Sequence, residues 1–291
     1  MEADLAPSRI GRKVALVIGS GALKSLAAFG VVKVLQREQI DIDMIVGCSG
    51  GAFCAAWLAG GGDNADDAAR WLAQEWAGAF DRVKYRAILS AFFPRLLRFS
   101  ETASIVDDRA INAGIDRFAG QSRIESQRVP LFLVATDLVS GEKVVLSAGR
   151  LADGLRASIA LPLILPPWRM AGRLLVDGAV SDPLPVDVAI QEGADLILAV
   201  GFENTLAPQF DSALGLVMQL QSMMMNHLVR AQYAFHNLSH HAEVLPIIPE
   251  FDKPVGLKDV HLVPQLVRCG EAAAELQMPY LRRLLAAPVA A

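Results

Sequence analysis

KVALVIGSGALKSLAAFGVVKVL, residues 13–35, places a strand, a glycine turn and a helix in one unbroken run. Lys13 to Ile18 is a compact β-branched apolar segment that stops at Gly19, and from Leu26 to Leu35 apolar residues recur at helical spacing. The unit then repeats. Met44 to Val46 runs into Gly47-Cys48-Ser49-Gly50-Gly51, and the small apolar stretch Ala52 to Ala59 ends at Gly60 to Gly62 as a helix stop. Farther along, Pro130 to Thr136 and Asp195 to Val200 read as buried strands. Alternating strand and helix predicts a layered α/β fold with a largely parallel sheet. Two long helical patterns, Ser212 to Leu238 and Val260 to Leu285, surround a strand-like Val244 to Ile248. With no low-complexity linker or solenoid-length repeat, the expectation is one domain over 1–291, of which 205–291 is the helical C-terminal part.

Composition narrows the function classes. A chain of 291 residues that is 53% hydrophobic can bury a full-sized core. Its net charge of -4 argues against a nucleic-acid binder held by phosphate neutralisation. Cys48, Cys54 and Cys269 lack the spacing of a zinc site or a disulfide framework, which fits a reducing compartment and no bound metal. Met1 to Lys13 lacks the apolar stretch of a secretory signal, and no eighteen-residue run is free of polar groups, so the expected location is cytoplasmic. One segment stands apart. From Arg82 to Phe99, five basic residues alternate with Ile88, Leu89, Phe92, Phe93, Leu96, Leu97 and Phe99. Residues 82–104 could therefore be a lid or a lipid-facing segment, with 82–99 the stretch for peripheral membrane contact; plain packing of an amphipathic segment against the core gives the same pattern and is the more ordinary reading.

Gly47-x-Ser49-x-Gly51 between a strand and a helix is the setting in which a serine is pushed out at the tip of a sharp turn, with Gly47 and Gly51 giving the turn its room. The competing reading is a glycine-rich turn with Ser49 as helix N-cap. Cys48 is a second nucleophile in principle, but its side chain should point away from the tip. Upstream, Gly19-Ser20-Gly21-Ala22-Leu23-Lys24-Ser25 fits neither the dinucleotide nor the Walker pattern, since Lys24 and Leu23 stand where those require glycine. It still exposes backbone N–H groups beside a helix start, and if the two units neighbour each other in the sheet it emerges beside Ser49. Lys24 then anchors the loop or adds positive potential; a tight turn with a surface lysine is the plainer alternative.

For a base there are two candidates. All five histidines, His227, His236, His240, His241 and His261, lie in the last third, so a Ser-Asp-His order is formally available. Ser49 follows only the second strand, however, which is early for that fold. Asp177-Gly178-Ala179 follows the apolar Leu174 to Val176, which puts the Asp177 carboxylate at a strand end and makes a Ser/Asp dyad available. The pairs Asp66/Asp67 and Asp107/Asp108 read as helix-start charges.

Together these motifs resemble the patatin-like phospholipase family: a glycine-rich loop ending in a basic residue, a G-x-S-x-G elbow and a distal Asp-Gly-Ala. Blocks at Ala135-Thr136-Asp137, Ser140-Gly141, Arg156-Ala157-Ser158, Leu161-Pro162 and Val176 to Pro185 extend the resemblance over most of the chain. It implies a three-layer α/β fold with a central, mostly parallel sheet flanked by helices. It also implies a serine lipid acyl hydrolase, of phospholipase, lysophospholipase or carboxylesterase type, acting on lipid or acyl esters without cofactor. Ser49 would be its nucleophile, Asp177 its base, and Gly19, Ser20, Gly21 and Ala22 its oxyanion loop, with Lys24 at the basic position and Gly178 and Ala179 completing the aspartate motif. The chain departs from the pattern at Ser25, where the family has glycine. If that position needs an unusual backbone angle the loop is displaced, and with the Met-rich Met223-Met224-Met225 stretch this motivates an alternative: a weakly active or non-catalytic binding protein on the same fold.

Overall fold

The computed structural model describes residues 12–62, 66–68, 70, 71, 74, 106–206, 208, 209, 213–239, 242–256 and 259–286. The 82–104 segment therefore lies outside the described residues. Parallel strands β1 (Val14–Ile18), β2 (Met44–Cys48), β3 (Leu131–Asp137), β7 (Leu196–Val200) and β8 (Glu243–Ile247) make the body of one eight-stranded sheet, in the order β3-β2-β1-β7-β8. Antiparallel β6 (Arg173–Asp177), followed by β5 (Trp168–Met170), pairs with the last residues of β3 past the end of β2, and β4 (Lys143–Leu146) pairs with the other edge of β3. The central strands β1, β2 and β7 are apolar and buried throughout because both sheet faces are covered.

Alternate residues of each strand serve different layers. Leu16, Ile18 and Ile45 join a core with α1 (Ala27–Arg37), α2 (Gly50–Ala59), α3 (Arg109–Ala119), α4 (Leu151–Ser158) and α7 (Val263–Ala286). Ala15, Val17, Val46 and Cys48 face α5 (Val186–Gln191) and α6 (Ala213–Ser239) instead. The result is the expected helix–sheet–helix arrangement.

The C-terminal helix is fixed on the first strand–helix unit by glycines. A Cβ at Gly30 of α1 would lie 1.9 Å from the Val267 carbonyl oxygen of α7, and one at Gly270 would lie 1.8 Å from that of Ala27. Neither acceptor is a flexible side chain that can swing aside. Gly270→Ala is accordingly expected to cost about 3 kcal/mol, the upper end of ordinary overpacking, read as a lower urea midpoint.

Candidate active site

β1 and β2 are adjacent and parallel, Ile18 standing opposite Gly47, so the Gly19 loop and the Ser49 turn leave the same edge of the sheet. Ser49 has φ 55° and ψ -125° at the start of α2. A side chain rarely adopts that conformation, and it holds only where the surroundings over-determine it. Several groups do so here. A Cβ at Gly47 would fall 2.7 Å from the Ala52 Cα, and one at Gly51 would fall 2.3 Å from the Ile18 carbonyl oxygen. The Ser49 N–H donates to Ser158 Oγ at 3.0 Å, and that hydroxyl donates to the Val134 carbonyl at 2.7 Å.

Asp177 arrives from the other direction. Sequence placed it at a strand end like Ser49, but β6 is antiparallel, and its pairing sets Asp177 opposite Ala135. Cys48 is opposite Val134 on the other neighbour of β3. β3 thus passes from Cys48 to Asp177 between Val134 and Ala135, so Ser49, one residue past Cys48, meets Asp177 where the tips of β2 and β6 converge. There the half-buried Ser49 donates its hydroxyl to Asp177 Oδ2 at 2.6 Å, while Oδ1 accepts the Ala179 N–H at 2.9 Å. Asp177 is buried, and burial pushes its carboxyl up to about 7 against the lowering effect of both hydrogen bonds. Gly178 is required because a Cβ there would meet the Val134 carbonyl oxygen at 2.4 Å.

The structure also separates the residues of the upstream loop. Gly19 N–H donates to the Val200 carbonyl at 2.9 Å and Ser20 N–H to that of Pro183 at 2.8 Å, so both amides are engaged. The amides of Gly21 and Ala22 have no such acceptor among the described residues. Ala22, exposed and at φ 49°, lies against the elbow: a Cβ on Gly50 would stand 2.9 Å from its nitrogen. Lys24 is not a surface lysine. Its ammonium is buried and donates to the Glu203 carbonyl at 2.7 Å and Asn204 Oδ1 at 2.9 Å, which ties the loop to the segment after β7. Burial brings it down to about 8, opposed by the Glu203 charge.

Ser25 does not displace the loop. It has no left-handed φ, and its buried hydroxyl donates to the Gly19 carbonyl at 3.3 Å. Cys48 points to the opposite face, its thiol donating to the Asp182 carbonyl at 3.4 Å, and burial raises it well above the ordinary thiol range. Among the described residues no histidine bonds the Ser49 hydroxyl, whose acceptor is Asp177; His227 and His261 are exposed. His240 and His241 lie outside the described residues. No group of three or more His, Cys, Asp or Glu side chains gathers as metal ligands among the described residues. Asp107 and Asp108 stand before α3 and pair with Arg109 and Arg156. A cleft of about 640 Å³ lined by Lys13, Glu38 and Asp43 opens at the amino ends of β1 and β2, the edge opposite Ser49.

Two supports had no signal sharp enough to single them out in sequence. Ser158 was visible only as part of the Arg156-Ala157-Ser158 block, and Asp182 only within the Val176 to Pro185 block. Asp182 binds Lys143 at 2.9 Å and accepts the Leu184 N–H at 3.3 Å, bracing the turn after Asp177. Thr136 braces the same turn by donating to the Asp177 carbonyl at 3.0 Å. Ser158→Ala removes the hydroxyl that joins the Ser49 amide to Val134. The expected result is a loss of about 1–3 kcal/mol of stability and a fall in turnover larger than any change in KM, measured by denaturation and steady-state kinetics.

The family model for patatin-like phospholipase matches residues 16–190, a span that holds the loop, the elbow and Asp177. An uncharacterised NTE family protein of Mycobacterium tuberculosis is 32% identical over 228 residues, 78% of this chain and 58% of that protein. Lysophospholipase nte1 of Aspergillus niger is 33% identical over 196 residues, 67% of this chain and 12% of that protein. The chain thus spans a little over half of the mycobacterial relative and a small part of the fungal one. Among solved structures, VipD from Legionella pneumophila aligns over 93% of this chain and 67% of its own, at 13% identity and a TM-score of 0.49.

Proposed function

The chain belongs to the patatin-like phospholipase family, and from that premise we propose that it is a serine lipid acyl hydrolase working through a Ser49/Asp177 dyad. The observation that carries the reading is the 2.6 Å hydrogen bond from the Ser49 hydroxyl, held at a strained elbow, to a buried carboxylate. Ser49 Oγ attacks the acyl carbonyl as its proton passes to Asp177 Oδ2. In this reading the amides of the loop at Gly21 and Ala22, the latter beside the elbow, stabilise the oxyanion. Asp177 then returns the proton to the departing alcohol, leaving an acyl-enzyme on Ser49. Water enters and gives a proton to Asp177 as its oxygen attacks the acyl carbon; the acyl–Oγ bond then breaks, Asp177 returns the proton to Ser49 Oγ, and the fatty acid leaves. A carboxyl near 7 suits both halves of this cycle, since it accepts and donates a proton close to neutrality.

The fungal relative's name, lysophospholipase, makes single-chain phospholipids the first substrates to try. The case for a non-catalytic protein rests partly on Ser25, and its ordinary φ and hydrogen bond to Gly19 support the catalytic reading. A serine-reactive fluorophosphonate is expected to label the protein and to fail on Ser49→Ala. Labelling that survives in Ser49→Ala rules the nucleophile out.

A further inference from the structure

α6 runs antiparallel to β7 and is fastened to the chain just beyond that strand. Tyr233 donates to the Ala199 carbonyl at 3.2 Å, Arg230 pairs with Glu203, and Asn226 exchanges two hydrogen bonds with the backbone of Asn204. These contacts climb past the carboxyl end of β7 as the helix is followed back toward its start. Ala213–Met225 therefore continues beyond the sheet for about 20 Å, at 1.5 Å per residue, on the edge where Ser49 and the Gly19 loop stand.

The free face of this arm is apolar. Leu216, Val217, Leu220, Met223 and Met224 fall on one side at helical spacing and are 38–68% exposed. Met225, Asn226 and Val229 point the other way, half-buried or buried. From Ala213 to Val229 the sequence has no Asp, Glu, Lys or Arg. An ordinary surface helix carries charge on its outer face, and this one does not.

We propose that this arm is a lipid-docking surface that lays the outer face of α6 into the interface of a bilayer and so presents the Ser49 edge to its substrate. The proposal rests on the reading of the site as a lipid hydrolase. Two features select a membrane as the occupant. The five side chains expose on the order of a few hundred Å², short of the roughly 800 Å² per partner of a standard protein interface. That area suffices for partial insertion, where binding scales with the apolar surface buried. The second feature is charge: from Ala213 to Met224 the arm carries no Asp, Glu, Lys or Arg, which matches zwitterionic lipid and costs little to desolvate, and the exposed His227 stands at its sheet-ward end. No helix among the described residues is long and apolar enough to cross a membrane, so the arm lies on the lipid and does not span it.

The test uses the full chain carrying Ser49→Ala, which separates binding from turnover, and vesicles of pure phosphatidylcholine. Sedimentation is expected to show binding that is insensitive to raising sodium chloride to about 0.5 M, because apolar contact is not screened. Adding Leu220→Glu and Met224→Glu should weaken it tenfold or more with an unchanged melting temperature; Leu220→Gln with Met224→Gln is the milder pair should the first destabilise the helix. In the active protein the same pairs should leave cleavage of a monomeric short-chain ester intact and slow cleavage of vesicle lipid. Equal vesicle binding by both pairs, absence of binding without them, or a concentration-dependent dimer that they dissolve would each overturn the proposal. Failure of the hydrolase reading looks different: vesicle binding persists while no ester is cleaved in a Ser49-dependent way.

Discussion

Asp177→Asn is expected to lower kcat/KM for ester cleavage by roughly 10³–10⁴-fold, the upper part of the range for general-base catalysis, because in the proposed cycle one carboxylate serves both halves of the reaction. The same substitution should stabilise the fold above neutral pH. An unfolded aspartate titrates near its ordinary 3.8, whereas burial holds Asp177 at about 7. Between those values the folded state keeps a proton that the unfolded state has lost, so stability falls as pH rises through that window and is level above it. The loss is on the order of 4 kcal/mol, at 1.36 kcal/mol for each factor of ten in acidity. Asparagine has no such ionisation. Asp177→Asn should therefore melt higher than the wild type at pH 8, with the advantage shrinking toward pH 4. The wild-type kcat/KM should rise with pH up to about 7 and then flatten as the base becomes fully ionised. A wild-type rate that instead falls between pH 6 and 8, or an undiminished rate in Asp177→Asn, would remove Asp177 from the mechanism.

The strands were legible because burial on both faces demands continuous apolar runs such as Val14–Ile18 and Leu196–Val200, which surface segments do not carry. Ser49 was legible because its turn admits only small neighbours. The direction of β6 was not, since Leu174 to Val176 reads the same whether its strand is parallel or antiparallel. That direction matters, because an antiparallel β6 brings Asp177 toward Ser49 past the end of β2. For Lys24 the sequence offered an anchor of the loop or a surface charge, and only the fold reveals its acceptors, the Glu203 carbonyl and Asn204, from about 180 residues away. Ser158 illustrates the same limit: a serine at the end of a helix has no local mark of the amide it will receive.

The Gly21–Ala22 amides can serve the reaction only if the loop stays pressed on the elbow, and Gly50 is the residue that permits this contact. Its φ is not left-handed, so alanine is free of backbone strain there and would favour the helix by intrinsic propensity. The obstacle is wholly steric: the new Cβ would sit 2.4 Å from the Ala22 carbonyl oxygen, 2.8 Å from its Cα and 2.9 Å from its nitrogen. α2 cannot retreat, because Ala52, Phe53, Cys54, Ala55 and Ala56 bury it in the core. The loop must yield instead. Displaced donors no longer reach an oxyanion that exists only after Ser49 has attacked, so the penalty falls on the transition state and not on the bound ester. Gly50→Ala is expected to reduce kcat by about 10²–10³-fold, the cost of a lost oxyanion donor, with KM little changed. Gly60→Ala, at the far end of the same helix with its nearest neighbour at 3.3 Å, is the control and should retain full turnover. If Gly50→Ala keeps its kcat, the oxyanion is held elsewhere. If KM rises while kcat holds, the loop binds substrate and does not stabilise charge.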